Sequence, residues 1–190
     1  MGRAICVFSA SSDRIRTEYV QAAEELGRLI GERGETLVFG GGTRGLMGAV
    51  ARSVHRHGGH VIGVIPDKLE GPGITYEEAD ELIVTDTLRE RKAQMDRLAD
   101  AFIALPGGFG TLEEIIEAMT LKQLQYHNRP VVFINTLGFF DDLSRFFEHQ
   151  FSEGFAHQAH RALYEFTPDP GSAIEYIAAY RPDALPGKYA

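Results

Sequence analysis

The sequence predicts an α/β domain built on one parallel β-sheet with helices on both faces. Two observations carry this expectation. Short, continuous apolar runs alternate with longer segments of helical periodicity, as expected for strands buried on both faces and joined by helices. The 21 glycines of the 190 residues also gather where the apolar runs end. That is about 11% glycine against a usual ~7%. No Gly-X-Y period or Gly/Ser linker explains the excess, so each glycine has to be placed on its own. The class is a Rossmann-like, doubly wound sheet, in which ligands bind outside the carboxyl ends of the strands.

Residues 4–9 form an apolar first strand. Tyr19, Ala22, Ala23, Leu26, Leu29 and Ile30 then recur at helical spacing, and Gly34 stops that helix. Residues 36–39 are a second strand, followed by glycines and a helix to about Arg56. A third strand covers 60–65, a surface loop 67–76, and a short fourth strand 81–85. A helix is expected over 88–98, a strand over 101–105, a long helix over 112–126 and a strand over 131–135. Amphipathic helices near 141–151 and 171–180 close the chain. No linker divides this run. One nucleotide-binding domain is therefore expected over 1–181, with a loose Pro/Gly-rich tail over 182–190.

Composition removes several function classes. The net charge is −8, without a basic block, which disfavours general binding to nucleic acid or a membrane surface. No run approaches the ~18 apolar residues of a membrane span. A single cysteine, Cys6, excludes an intramolecular disulfide and multi-cysteine metal sites, and suits a reducing cytoplasm. The seven histidines include no H-E-x-x-H, so no metal site is expected. There is no P-loop and no G-x-S-x-G elbow.

Three segments carry chemistry. Gly40, Gly42 and Gly45 satisfy G-x-G-x-x-G between a strand and a helix, with Asp67 at a later strand end. Such a turn lets backbone N–H groups, including those of Gly41 and Gly42, approach a phosphate; it also serves simple close packing. Pro106-Gly107-Gly108-Phe109-Gly110-Thr111 leads from a strand into a strong helix, and its glycines free the backbone to wrap an anion at a helix N-terminus. Thr111 and Glu114 also read as a capping box, with Thr111 at the N-cap. Thr87 and Glu90 repeat that pattern, while Arg89, Arg91 and Lys92 set three cations on one first turn. Cations there oppose the helix dipole, which points to an anionic ligand or to a solvated basic face. Ser9, Ser11 and Ser12, after the first strand, are either donors to a ribose or phosphate or ordinary turn residues.

Together these segments resemble the Lonely Guy (LOG) family of cytokinin riboside 5′-monophosphate phosphoribohydrolases, over about 4–180. The matching motifs are Ile5-Cys6-Val7-Phe8 with Ser11-Ser12, Gly40 to Gly48, Gly58 to Pro66, Arg91-Lys92-Ala93-Gln94-Met95 (R-K-x-x-M) and Pro106 to Glu114 (P-G-G-x-G-T-x-x-E). The resemblance implies hydrolysis of the N-glycosidic bond of AMP or an N6-modified AMP, giving free base and ribose 5-phosphate. Arg91 and Glu114 would be catalytic. Substrate binding would fall to Lys92, Gly107, Gly108, Gly110, Thr111, Thr120, Gly41, Gly42, Met95 and Ser12. The chemistry requires no cofactor. A homodimer is expected, its nucleotide site near the subunit boundary, with the face of Ile115, Ile116, Met119 and Leu124 serving either interface or core. One departure is Lys68, where many relatives carry glutamate. Some relatives bear a lysine decarboxylase label, yet none of the lysines (68, 92, 122 and 188) sits in a recognisable pyridoxal-phosphate context. The alternatives are a non-catalytic nucleotide or molybdenum-cofactor carrier, a dinucleotide-dependent oxidoreductase and a regulatory module with purely structural glycines.

Overall fold

A computed structural model describes residues 2–182. The 183–190 part of the expected tail lies outside the described residues. Seven strands form one sheet: β1 (Ala4–Phe8), β2 (Thr36–Phe39), β3 (His60–Pro66), β4 (Glu81–Thr85), β5 (Ala101–Ala104), β6 (Val131–Ile134) and β7 (Glu165–Thr167). Their spatial order is β4-β3-β2-β1-β5-β6-β7, with every neighbouring pair parallel. The chain runs outward from β1 to β4, returns to place β5 beside β1, and runs outward again. The order therefore reverses between β1 and β5, where a doubly wound sheet opens its ligand crevice.

Six helices cover the sheet: α1 (Thr17–Glu32), α2 (Gly45–Arg56), α3 (Leu88–Leu98), α4 (Phe109–Gln123), α5 (Asp141–Ser152) and α6 (Pro170–Ala179). The strand side chains alternate between two buried layers, as the period of two requires. Ile5, Val7, Leu37, Phe39, Ile103 and Val132 pack under α1, α2 and α6. Cys6, Phe8, Val38, Phe102 and Phe133 pack under α3, α4 and α5. The stripe read from α1 is the buried one, since Ala22, Ala23, Leu26, Leu29 and Ile30 are all in the core.

Two readings change. The three-residue strand β7 was not expected; it is too short to show a period, and it pairs with β6 through Phe133 and Phe166. Helix α4 begins at Phe109 rather than 112 and ends at Gln123 rather than 126. Gly108 is its N-cap, so Thr111 lies in the first turn and does not cap the helix. The Thr87 cap is present: its hydroxyl accepts from the Glu90 N–H at 3.1 Å, and the Glu90 carboxylate accepts from the Asp86 N–H at 3.1 Å.

Candidate active site

A crevice of about 580 Å³ opens at the carboxyl edge of the sheet, a size that suits a small-molecule ligand. Ser9 and Ser11 follow β1, Gly40 and Gly42 follow β2, Ile65 belongs to β3, and Gly108 and Gly110 flank the start of α4. The two glycine loops thus meet across one opening.

The helix N-termini that follow the two glycine loops are capped differently. At α2 the Gly45 N–H donates to the Asp13 carboxylate at 2.8 Å, and the Leu46 N–H donates to the Ala10 carbonyl at 2.9 Å. The chain fills this anion position with its own carboxylate. At α4 no side chain caps the N-terminus. The first-turn N–H groups of Phe109, Gly110 and Thr111 have no carbonyl in the preceding turn to pair with. A Cβ at Gly108 or Gly110 would meet nothing within 4 Å, so packing does not explain these glycines. They leave the approach to the helix end open. Gly107 is packed: a Cβ there would lie 2.0 Å from the Thr111 hydroxyl oxygen, and Thr111 itself is buried.

Arg91 and Glu114 form the centre of the crevice wall. The Arg91 guanidinium donates through Nη1 to Glu114 Oε1 at 2.8 Å and through Nε to the Val64 carbonyl at 3.0 Å. Both side chains are nearly buried, at 12% and 11% exposure. The guanidinium lies over Gly40, where a Cβ would come within 2.0 Å of Nη2. Burial pushes the Glu114 carboxyl above the usual range, and the Arg91 charge opposes that rise. The arrangement is a fixed carboxylate, matched by a nearly buried cation, in the second turn after an uncapped helix N-terminus.

Other expected site residues lie elsewhere. Lys92 faces a separate hollow of about 250 Å³ between α3 and α4, on the far side of Glu114, and is ion-paired with Glu113 and Glu117. Met95 is 1% exposed and anchors α3 on the sheet among Cys6, Phe8 and Val64. Thr120 donates its hydroxyl to the Ile116 carbonyl at 2.8 Å and lines an apolar hollow between α4 and α5. Ser12 is exposed and accepts from the Arg14 N–H at 3.2 Å, while its neighbour Ser11 reaches the crevice. Gly41, at φ +70°, gives its carbonyl to the Tyr76 N–H at 2.8 Å. Of the apolar face considered for an interface, Ile115 is core, whereas Ile116 and Met119 line the α4–α5 hollow. Lys122 is buried and donates to the Leu163 carbonyl, away from the crevice. Sequence reasoning missed Arg44, Met47, Leu69 and Ile74 as crevice residues. Only the glycine motif beside the first two hinted at them.

Comparison with known proteins identifies the family. The family model described as "Possible lysine decarboxylase" matches residues 47–177. A probable cytokinin riboside 5′-monophosphate phosphoribohydrolase of Oryza sativa subsp. japonica is 44% identical over 95% of this chain and 79% of its own length. A cytokinin riboside 5′-monophosphate phosphoribohydrolase of Arabidopsis thaliana is 43% identical over 95% of this chain and 84% of its own. Among solved structures, the molybdenum cofactor carrier protein of Chlamydomonas reinhardtii matches with a TM-score of 0.70 at 22% identity, covering 95% of this chain and all of that one. The molybdenum cofactor binding protein of Rippkaea orientalis matches with a TM-score of 0.72 at 22% identity, over 94% of this chain and 97% of its own. Likeness at that identity concerns the fold. With its α/β sheet, its paired Arg91 and Glu114 and these relatives, the chain belongs to the LOG family of phosphoribohydrolases.

Proposed function

We propose that the protein hydrolyses the N-glycosidic bond of AMP or an N6-modified AMP, releasing free base and ribose 5-phosphate. The observation that carries the reading is the buried Arg91–Glu114 pair beside the uncapped end of α4. The phosphate is held by the N–H groups of Phe109, Gly110 and Thr111, with Gly107 and Gly108 shaping the loop. The ribose then lies against Glu114. As the bond from C1′ to the base nitrogen breaks, positive charge develops on the sugar and the carboxylate stabilises it. Water adds its oxygen to C1′, and its proton balances the departing base. Arg91 keeps Glu114 ionised despite burial and fixes its orientation. Phosphate binding remote from the reacting carbon holds the sugar in place, so it contributes to rate as well as affinity. Lys92 stands behind Glu114 and adds positive potential there, consistent with its opposing influence on that carboxyl's raised pKa.

The dinucleotide reading is weakened by Asp13, whose carboxylate occupies the position a pyrophosphate would take at α2. No helix among the described residues is long and apolar enough to cross a membrane. We further place the protein in a reducing cytoplasm, supported by its single, buried Cys6, and read it as a homodimer. Support for the dimer is the α4–α5 hollow, beside which Phe146 and Phe155 are exposed.

The test is product detection on AMP, CMP, GMP, N6-isopentenyl-AMP and the corresponding nucleosides. Base release from an adenine monophosphate, with little from its nucleoside, is expected. Equal rates on both would overturn the assignment of the α4 loop to phosphate.

A further inference from the structure

The crossover from β3 to β4 contains no α-helix, unlike the other crossovers of the sheet. Residues 67–80 instead run as a strap from the crevice edge to the opposite edge. Leu69 and Ile74 of this strap line the crevice, although each is about half exposed. The strap is tied to the first glycine loop by two backbone bonds, Thr43 N–H to the Ile74 carbonyl and Tyr76 N–H to the Gly41 carbonyl, both 2.8 Å. Arg44 adds a bond from Nε to the Gly73 carbonyl at 2.9 Å.

Its second anchor is a chain of side chains. His55 of α2 meets the Tyr76 hydroxyl through Nδ1 at 2.8 Å and the Asp80 carboxylate through Nε2 at 2.9 Å. The Tyr76 hydroxyl also reaches Glu78 at 3.2 Å. Asp80 accepts from the Val61 N–H at 2.7 Å, and His60 lies between Asp80 at 3.4 Å and Glu81 at 3.3 Å. Arg52 of α2 is the remaining charged group acting on Tyr76. Burial, and next Glu78, push the Tyr76 phenol up to about 12, so it keeps its single proton. Burial raises Asp80, but the bonds from His55 and the Val61 N–H outweigh it and hold that carboxyl below its ordinary range.

Counting protons identifies the controlling residue. Two carboxylates end the chain, and each can only accept. If Tyr76 donates to Glu78, its oxygen must accept from Nδ1–H, while Nε2–H serves Asp80. All three links therefore exist together only when His55 carries both ring protons. With a neutral imidazole one link is lost.

We propose that His55 is a positioning residue that holds the 67–80 strap as one wall of the crevice and thereby sets affinity for the nucleoside part of the substrate. The affinity statement rests on the nucleotide-hydrolase reading; the strap statement does not. The strap's anchoring bonds run to the first glycine loop and to α2, not to the α4 end, so phosphate capture is expected to be independent of it.

The test compares wild type with His55→Ala and Tyr76→Phe, the latter keeping the ring that packs on Phe39. In both variants, each of which removes two of the three links, KM for AMP rises about 3- to 10-fold, with kcat unchanged. The inhibition constant for ribose 5-phosphate stays at the wild-type value. Amide hydrogen exchange at Thr43 and Tyr76 accelerates in both variants. A parallel loss of ribose 5-phosphate affinity, an unchanged KM or unchanged amide protection would each overturn the proposal. If wild type releases no base, the hydrolase reading falls. The exchange measurement then decides the strap by itself: unchanged protection overturns it and accelerated exchange upholds it.

Discussion

At the scale of single residues, the proposed reaction depends on keeping a buried carboxylate charged. Burial raises Glu114, whereas Arg91, 2.8 Å away, acts in the opposite direction. Chemistry that needs the ionised carboxylate should fail as pH drops through this raised value. The acid limb of kcat should therefore lie above the ordinary glutamate pKa of about 4.3. Removing the arginine removes the opposing influence, so residual activity of Arg91→Ala should show an acid limb moved to higher pH. Glu114→Gln, which keeps the shape but not the charge, should lose about a thousandfold or more in kcat while nucleotide binding persists. A pH–rate profile of the three proteins checks both statements, and an acid limb unmoved by Arg91→Ala would refute the pairing argument. Arg91 and Glu114 were legible as motif positions. The roles of their neighbours were not, because adjacent residues on a helix point about 100° apart. That rotation takes Lys92 to the far side of Glu114. Met95 shares the face of Arg91, but its shorter side chain ends in the core, whereas the longer arginine reaches the crevice.

At the scale of elements, two glycine-rich strand-to-helix turns look alike in sequence and serve different ends. The turn before α2 is closed by Asp13, which lies 32 residues from Gly45 in the chain. A cap so distant leaves no local pattern, so the phosphate potential of this loop could not be judged from its own residues. The turn before α4 was legible as a glycine-rich approach to a helix, but its helix start was read three residues late, since Thr-x-x-Glu imitates a capping box. The correction separates two glycines experimentally. Gly107→Ala drives a methyl into Thr111 and should destabilise the fold by about 1–3 kcal/mol. Gly108→Ala meets nothing within 4 Å and sits at φ −90°, open to any residue. It should leave the melting temperature nearly unchanged while raising KM for the monophosphate by crowding the open helix end. Melting curves and KM for both variants check this, and equal effects of the two substitutions would contradict the division of labour.

At the scale of the whole molecule, alternating apolar runs and helical stripes made the parallel sheet legible, while its far edge was not. Strand β7 is three residues long and gains its identity from packing. Its Phe166 stacks on Phe133 of β6 with ring centroids 4.8 Å apart, and Phe140, Phe147 and Tyr164 surround Phe133 within 6.2 Å. The crevice, in contrast, is lined from β1, β2, β3 and the start of α4. The aromatic cluster and the crevice thus lie on different parts of one sheet. Aromatic burial of this extent contributes several kcal/mol, because truncation loses both transfer energy and packing. Phe133→Ala should cost about 3–5 kcal/mol and lower the melting temperature by about 6–20 °C for a chain of this size. Well below that lowered transition, kcat for base release should remain at the wild-type value, since the ring's aromatic neighbours lie outside the crevice. Thermal melts paired with initial rates at low temperature test the separation. A fall in kcat of the still-folded variant would show that the aromatic edge positions the site as well as holding the sheet.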